Sequence, residues 1–328
     1  MTASIEPVRF GVLGVGRIAQ NRFAPAVAAS PLATLEAAAS RDLARAKSLD
    51  AARSYGSYAE LLRDERVEAV YIATHNGLHE ELCLEALDCG KHVLCEKPLG
   101  RNAAECERML ARATQRKRHL VEAFMYRHHP QIAKMLELVR GGAIGELRTV
   151  EASFSFHLTK EDDVRLNDDW GGGGLLDVGC YCVNVCRLLL GDEPVGLSAR
   201  GAFHPVHGVD LSLHGILEYE GGRFAVISSG FDGGLRNRVL LSGTRGTLEL
   251  RHAFLSWEEE PLLVLRQEGG ETHYPFEIVD VFRLEVEDLC RAIRTGSKPK
   301  LGPDEGLKNA RLLDALLAEA RRSARSRS

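Results

Sequence analysis

The pattern of apolar and polar positions changes character once along the chain, near residue 124. Before that point, short apolar runs alternate with amphipathic stretches of ten or more residues. Residues 8–13 (VRFGVL), 33–39 (ATLEAAA), 68–73 (EAVYIA), 91–95 (KHVLC) and 119–122 (HLVE) read as strands. Helical segments separate them at 42–52, 78–90, where Gly90 suits a helix end, and 102–116. Strands alternating with helices in this way predict βαβ units and a doubly wound parallel sheet. Beyond residue 124 the pattern predicts a helix over 130–140, a long strand over 146–157 and a glycine-opened helix over 172–190. Strand-like runs follow at 211–219, 224–230, 238–242 and 247–251, with tight turns at Glu220–Arg223 and Gly243–Gly246. Such turns join antiparallel strands. The expectation is therefore an α/β domain over 1–124 and an α+β domain over 125–328. The second domain carries an open, mostly antiparallel sheet and ends in a helix over 303–322, which Pro303 would open.

Composition narrows the possible partners. With 328 residues, 45% hydrophobic and 27% charged, the chain has ample material for two cores. A net charge of -4 gives no electrostatic reason to expect nucleic acid or an anionic membrane. The opening MTASIEPVRF has no apolar signal core, and no eighteen apolar residues run together, so a cytoplasmic location is expected. The basic tail from Arg321 onward reads as a solvated end. No metal is expected. Cys182 and Cys186 sit four apart, as do His75 and His79 ahead of Glu80 and Glu81, but neither pair brings the further ligands a zinc site needs.

Gly14-Val15-Gly16-Arg17-Ile18-Ala19 directly follows the first strand and has the G-x-G-x-x-A form. Gly14 permits a tight turn, Gly16 lets backbone approach a pyrophosphate, and Ala19 allows close packing of helix on strand. The helix opening there offers N–H groups and a positive dipole end to phosphates. In its βαβ context the motif predicts a Rossmann dinucleotide site. At the end of the second strand stand Ser40 and Arg41, a hydroxyl and a guanidinium that suit a 2′-phosphate, so NADP is expected in preference to NAD. Asp42, directly after them, is the feature that speaks for NAD. Thr74, His75, Asn76 and His79 follow the third predicted strand, at the edge where such sheets bind ligands, and are candidate cofactor contacts.

Two groups of residues carry candidate catalytic chemistry. Glu96-Lys97-Pro98 places a lysine at the carboxyl end of a strand, facing the same crevice. On the predicted helix over 172–190, Asp177, Tyr181 and Asn184 are spaced i, i+4, i+7 and share one face among small and apolar neighbours. Arg165, Arg127 and Asn184 are candidate substrate contacts, with Lys97, Asp177 and Tyr181.

These residues resemble the glucose–fructose oxidoreductase / inositol dehydrogenase (Gfo/Idh/MocA) family. The resemblance rests on G-V-G-R-I-A at 14–19, E-K-P at 96–98, Glu122 to Arg127 with Pro130, Gly142-Ala-Ile-Gly145-Glu-Leu, and G-G-G-L-L-D-V-G-x-Y at 172–181. It implies an NAD(P)-dependent oxidoreductase that moves hydride between nicotinamide and a CH–OH or C=O group of a sugar-like substrate or cyclic diol. It also implies Lys97 as the catalytic lysine, Asp177 as the carboxylate that orients substrate, and Tyr181 as the proton-transfer residue. Tyrosine at the last position resembles the branch with NADP-dependent xylose dehydrogenases and dimeric dihydrodiol dehydrogenase. His75 stands where the family often has proline. A free phenol titrates near pH ~10, and a neighbouring ammonium would stabilise its phenolate. The same fold also hosts NAD-retaining glycosidases and non-catalytic dinucleotide-binding regulators, which remain the alternatives. A homodimer or homotetramer is expected, built on an exposed sheet face.

Overall fold

The structure is a computed structural model that describes residues 6–191, 193–256 and 260–325. The chain divides into two compact units, one of residues 1–125 with 280–310 and the other of 126–279 with 311–328.

The first unit is built on a six-stranded parallel sheet of β1 (Val8–Leu13), β2 (Ala33–Ala39), β3 (Arg53–Tyr55), β4 (Ala69–Ile72), β5 (His92–Glu96) and β6 (Leu120–Ala123), in the order β3-β2-β1-β4-β5-β6. The order reverses at β1, which pairs with β2 on one side and β4 on the other, and this reversal opens a crevice at the strands' carboxyl ends. Val8, Phe10, Val12 and Leu13 are all buried, as expected of a strand covered on both faces. Phe23, from the first crossover, lies edge-on to Phe10 and stacks flat on Tyr71 of β4, with ring centroids 5.7 and 3.9 Å apart.

Three features depart from the sequence reading. The helix expected over 42–52 spans only Leu43–Lys47, and Asp50 with φ of 52° then turns the chain into the short β3. The strand expected third is therefore the fourth. More consequentially, residues 280–310 belong to the first unit, although the sequence reading placed everything beyond 124 in the second domain. There the helix Val281–Thr295, capped by Asp280, was not anticipated. Its Arg294 donates to both carboxylate oxygens of Glu68 at 2.7 and 2.9 Å and to the carbonyls of Glu6 and Pro7 at 2.8 Å, fastening it beside the start of β1.

The second unit is built on an eight-stranded sheet of β7 (Leu147–His157), β8 (Gly196–Phe203), β9 (Asp210–Tyr219), β10 (Arg223–Gly230), β11 (Asp232–Gly243), β12 (Gly246–Arg251), β13 (Leu262–Gln267) and β14 (Gly270–Pro275). Its order is β14-β13-β12-β11-β7-β10-β9-β8, antiparallel throughout except for β7 beside β10. The expected turn between β9 and β10 is present, with Gly221 and Gly222 both at positive φ, as hairpins of right-handed twist require. Leu217, Ala225, Ile227, Val239 and Leu241 point from the sheet into the core under the apolar helix Cys180–Leu190. The final helix spans Glu305–Arg325, starting two residues after Pro303.

Burial raises the Glu68 carboxyl's pKa, but hydrogen bonds from Arg294 and the Arg9 amide outweigh it and hold the group below the ordinary carboxylate range. The stability this contributes is present above the unfolded carboxylate's pKa and is lost as pH falls through the folded one. Arg294→Ala should therefore lower unfolding free energy by about 1–3 kcal/mol in neutral urea titrations, with the deficit shrinking as pH falls below ~4. A loss that does not change with pH would contradict the pairing.

Candidate active site

At the carboxyl edge of the parallel sheet the chain makes four turns whose side chains can be followed one by one. In the first, Gly14 has φ of +92°, and a Cβ there would sit 2.9 Å from the Ala73 carbonyl oxygen and from the Thr74 methyl. Gly14 is thus required by the close approach of the loop after β4. Gly16 is different, since a Cβ there would have only the Ala73 oxygen nearby, at 3.9 Å. The space over Gly16 is open. The following helix begins at Arg17, and Ala19 is fully buried in a π turn, Ala19–Phe23.

At the end of β2, Asp42 is the cap of the helix Leu43–Lys47, accepting N–H bonds from Ala44 at 2.9 Å and Arg45 at 3.4 Å. Ser40 is buried and its Oγ accepts the Asp42 amide at 3.2 Å. Asp42's carboxylate is therefore engaged by its own helix, and Glu36 is engaged by Arg53 and Arg66. Arg41 remains exposed and acts electrostatically on Tyr58 and His75. Burial, reinforced by Arg41 and Arg101, keeps the His75 imidazole below its ordinary pKa.

Beyond β4, Thr74 Oγ1 is buried with no hydrogen-bond partner among the described residues. Asn76 opens a short 3-10 turn. His79 is fully buried, with Nδ1 2.9 Å from the Pro98 carbonyl and Nε2 3.2 Å from the Thr74 carbonyl. Both ring nitrogens thus face protein backbone rather than an open crevice, which is not the cofactor contact expected of His79. The fourth turn is Glu96-Lys97-Pro98-Leu99, with a cis Lys97–Pro98 peptide. Glu96 accepts the Lys97 amide at 3.3 Å and the Tyr71 hydroxyl. Glu122 of β6 accepts the Leu99 amide at 2.9 Å. A glycine cradle, an open approach at a helix start and an orphaned threonine hydroxyl fit the phosphates and ribose of a dinucleotide. Gly14, Gly16, Arg17, Ile18, Ser40, Arg41 and Thr74 are the residues that would hold it.

In the second unit, the glycine run is explained by what packs against it. A Cβ on Gly172 would lie 2.4 Å from the Arg165 carbonyl oxygen, and one on Gly173 would lie 2.3 Å from an Asp210 carboxylate oxygen. Asp210, buried at the start of β9, accepts the Leu175 amide at 2.6 Å and so anchors the start of the helix. Burial raises its pKa to about 6, against the pull of those N–H bonds. The helix expected over 172–190 begins instead as a π turn, Leu175–Gly179, and becomes α-helical over Cys180–Leu190. A π turn shifts the angular position of what precedes it, so the simple i, i+4 relation of Asp177 to Tyr181 does not hold.

Asp177 accepts from Arg165 Nε at 2.8 Å, and Arg165 also donates to Asp163 at 3.1 Å. The two carboxylates, Asp177 foremost, push the guanidinium's pKa up. Tyr181 is 3% exposed, with ring centroids 5.4 Å from Phe154, 5.5 Å from Phe254 and 5.8 Å from Tyr126. This aromatic cage was not read from the sequence, because its members come from separate elements with no shared spacing. Asn184 is fully buried, and its Oδ1 accepts from Tyr126 at 2.6 Å and from Arg127 at 3.1 Å. Arg127 and Asn184 were both expected to touch substrate. The structure joins them to each other, tying Arg127 to the helix that carries Tyr181.

Comparison with known proteins places this geometry. Residues 8–124 match the family profile described as an oxidoreductase family with an NAD-binding Rossmann fold, and residues 132–249 match the GFO/IDH/MocA C-terminal domain. The chain is 38% identical to a D-xylose 1-dehydrogenase (NADP(+)) of Haloferax volcanii, over 95% of this chain and 97% of that protein. It is 34% identical to the trans-1,2-dihydrobenzene-1,2-diol dehydrogenase of Mus musculus, over 96% of each chain. Among solved structures, a 3-ketoreductase from Actinomadura kijaniata in complex with NADP and TDP-benzene superposes with a TM-score of 0.91. It shares 31% identity, covering 96% of this chain and 98% of that one. The chain belongs to the Gfo/Idh/MocA family of NAD(P)-binding oxidoreductases.

Proposed function

We propose that this protein is an NADP-dependent dehydrogenase or reductase acting on a CH–OH or C=O carbon of a sugar or cyclic diol. Lys97, Asp177 and Tyr181 are its working groups. The observation that carries the reading is the state of Asp177, a carboxylate held by Arg165 on the turn before a tyrosine buried among aromatic rings. A carboxylate fixed in that way accepts hydrogen bonds from substrate hydroxyls. The relatives support the class, since one is named for xylose, one for a benzene dihydrodiol and a third for a dTDP-linked keto-sugar.

The bound nicotinamide would supply the two-electron hydride acceptor. The Tyr181 phenolate takes the proton of the substrate hydroxyl, so that a C–H bond and an O–H bond are exchanged for a C=O bond. The Lys97 ammonium donates a hydrogen bond to the same oxygen and favours the phenolate. Asp177 holds a neighbouring hydroxyl and sets which carbon reacts. In the reducing direction Tyr181 returns its proton to the carbonyl oxygen.

Preference for NADP follows from the end of β2. With Asp42 spent on a helix cap and Glu36 on two arginines, Ser40 and Arg41 are left to meet the 2′-position. We also propose a homo-oligomer in a reducing, cytoplasmic setting. The sheet face opposite the core exposes Ile216, Phe224 and Val226 beside a cavity of about 650 Å³ lined by Leu235, Arg236, Arg238 and Arg251. A second copy would cover this face. All eight cysteines are free, as in reducing compartments.

Reduction of NADP+ or NAD+, followed at the reduced-nicotinamide absorbance band against aldoses, inositols and trans-dihydrodiols, tests the class. Turnover of none of them would overturn it. Lys97→Met should lower kcat by ~10²–10⁴-fold with little change in NADP+ affinity, and a fully active variant would remove Lys97 from the chemistry. Arg41→Ala should reduce kcat/KM for NADP+ by at least ~10-fold while leaving NAD+ within ~3-fold, because a charge-assisted bond to phosphate is lost. Equal losses with both cofactors would refute that role. Phe224→Glu should shift the assembly toward smaller species in light scattering. An unchanged mass, or a wild type already monomeric, would sink the interface.

A further inference from the structure

The Lys97 turn is held at three consecutive backbone groups by three side chains. The Lys97 amide donates to Glu96, the Pro98 carbonyl faces His79 Nδ1, and the Leu99 amide donates to Glu122, at 3.3, 2.9 and 2.9 Å. Glu96 belongs to the turn itself and Glu122 to the neighbouring strand. His79 also touches a second turn, through the contact of its Nε2 with the Thr74 carbonyl at 3.2 Å.

We infer that His79 is a positioning residue that fixes Lys97 relative to the Thr74–Asn76 loop, so that the ammonium and the nucleotide-binding turn keep one spacing. The inference rests on the reading of Lys97 as a working group. Donor and acceptor counting supports it. The imidazole sits between two carbonyl oxygens, both acceptors, and burial holds it below its ordinary pKa despite them. A neutral ring has one N–H and can donate to one oxygen only. We assign that proton to Nδ1, at the shorter contact with Pro98, so that Nε2 meets the Thr74 carbonyl as a packing contact without a hydrogen bond. Thr74 in turn packs its methyl against Gly14. A contiguous series of contacts therefore runs from the Gly14 turn through Thr74 and His79 to the backbone of Pro98, the residue after Lys97. A histidine is suited to this place because its ring is rigid and reaches both carbonyls at once, and its ordinary companion function as an acid or base is closed off by complete burial.

The test uses the full chain and combines hydrogen exchange of the free protein with NADP+ binding and turnover. His79→Leu removes the donor. His79→Asn keeps an N–H near the Nδ1 position, and His79→Gln moves it toward the Nε2 position. In His79→Leu, amides in 74–78 and 96–100 should both exchange at least ~10-fold faster, while β2 is unchanged. Turnover on the best substrate of the panel should fall ~10²-fold, as expected for a misplaced catalytic group, and NADP+ affinity should change less than kcat. His79→Asn should restore protection of 96–100 and most of kcat, and His79→Gln should not.

Should His79→Leu fail to fold, the comparison of Asn with Gln decides the question alone. Equal behaviour of Asn and Gln, or faster exchange confined to one of the two turns, would overturn the inference. A Lys97→Met protein with full turnover would overturn the catalytic reading instead, while the exchange data would still report on the clamp.

Discussion

A parallel sheet delivers every strand to the same edge, and the polar backbone that leaves there must find partners without a neighbouring strand to supply them. That constraint organises the first unit. Backbone bonds such as Gly14 N–H to the Ala39 carbonyl and Ala73 N–H to the Leu13 carbonyl satisfy part of its turns, and side chains satisfy other groups. Glu96, Glu122 and His79 take the backbone groups of residues 97 to 99, and Asp42 takes the first amides of the helix after β2. Each of these groups is fixed by an element behind it, so the surfaces they leave for a ligand are set by the core. The open space over Gly16 and the orphaned hydroxyl of Thr74 are among the features left for a ligand.

The second unit solves a related problem inside a helix. A segment as apolar as 175–190 could bury itself with no polar group at all, yet it carries Asp177, Tyr181 and Asn184. Each is supported from a different direction. Arg165 balances the charge of Asp177, three aromatic rings surround Tyr181, and Tyr126 with Arg127 satisfies the Asn184 oxygen. Asp210 anchors the start of the segment and accounts for Gly173, while the carbonyls of Arg165 and Asn167 account for Gly172. The glycine run is therefore a packing requirement of the helix that presents these groups, not a phosphate loop.

Much of this was legible in the sequence, for physical reasons. The strand, Gly14, Gly16 and helix of the first βα unit announce themselves because period and glycine placement coincide, and Lys97 because it ends an apolar strand. Other features left no local signal. β3 has three residues and no alternation to detect. The return of 280–310 to the first unit brings Arg294 to Glu68, 226 residues away, along with the buried apolar face of its helix. Asp210 caps a helix that begins 35 residues earlier, and the π turn has no sequence period of its own. Asp42 could have been read more closely. An aspartate directly before a helical run is a cap signal, and it resolves the competition between that carboxylate and Arg41. His79 was noticed for its place after a strand and its spacing from His75, but its burial and its two carbonyl neighbours could come only from coordinates. The last residues of the basic tail lie outside the described residues.

At the centre of the proposed function stand one ammonium and one phenol, Lys97 and Tyr181, proposed to act together on one substrate oxygen. A double-mutant cycle on kcat/KM, using Lys97→Met, Tyr181→Phe and the combined variant, measures that unity directly. If the two groups serve the same proton transfer, the double variant will be no more than ~3-fold slower than the slower single one, since removing either already disables the other. Losses that multiply in the double variant would show two independent contributions and contradict the account.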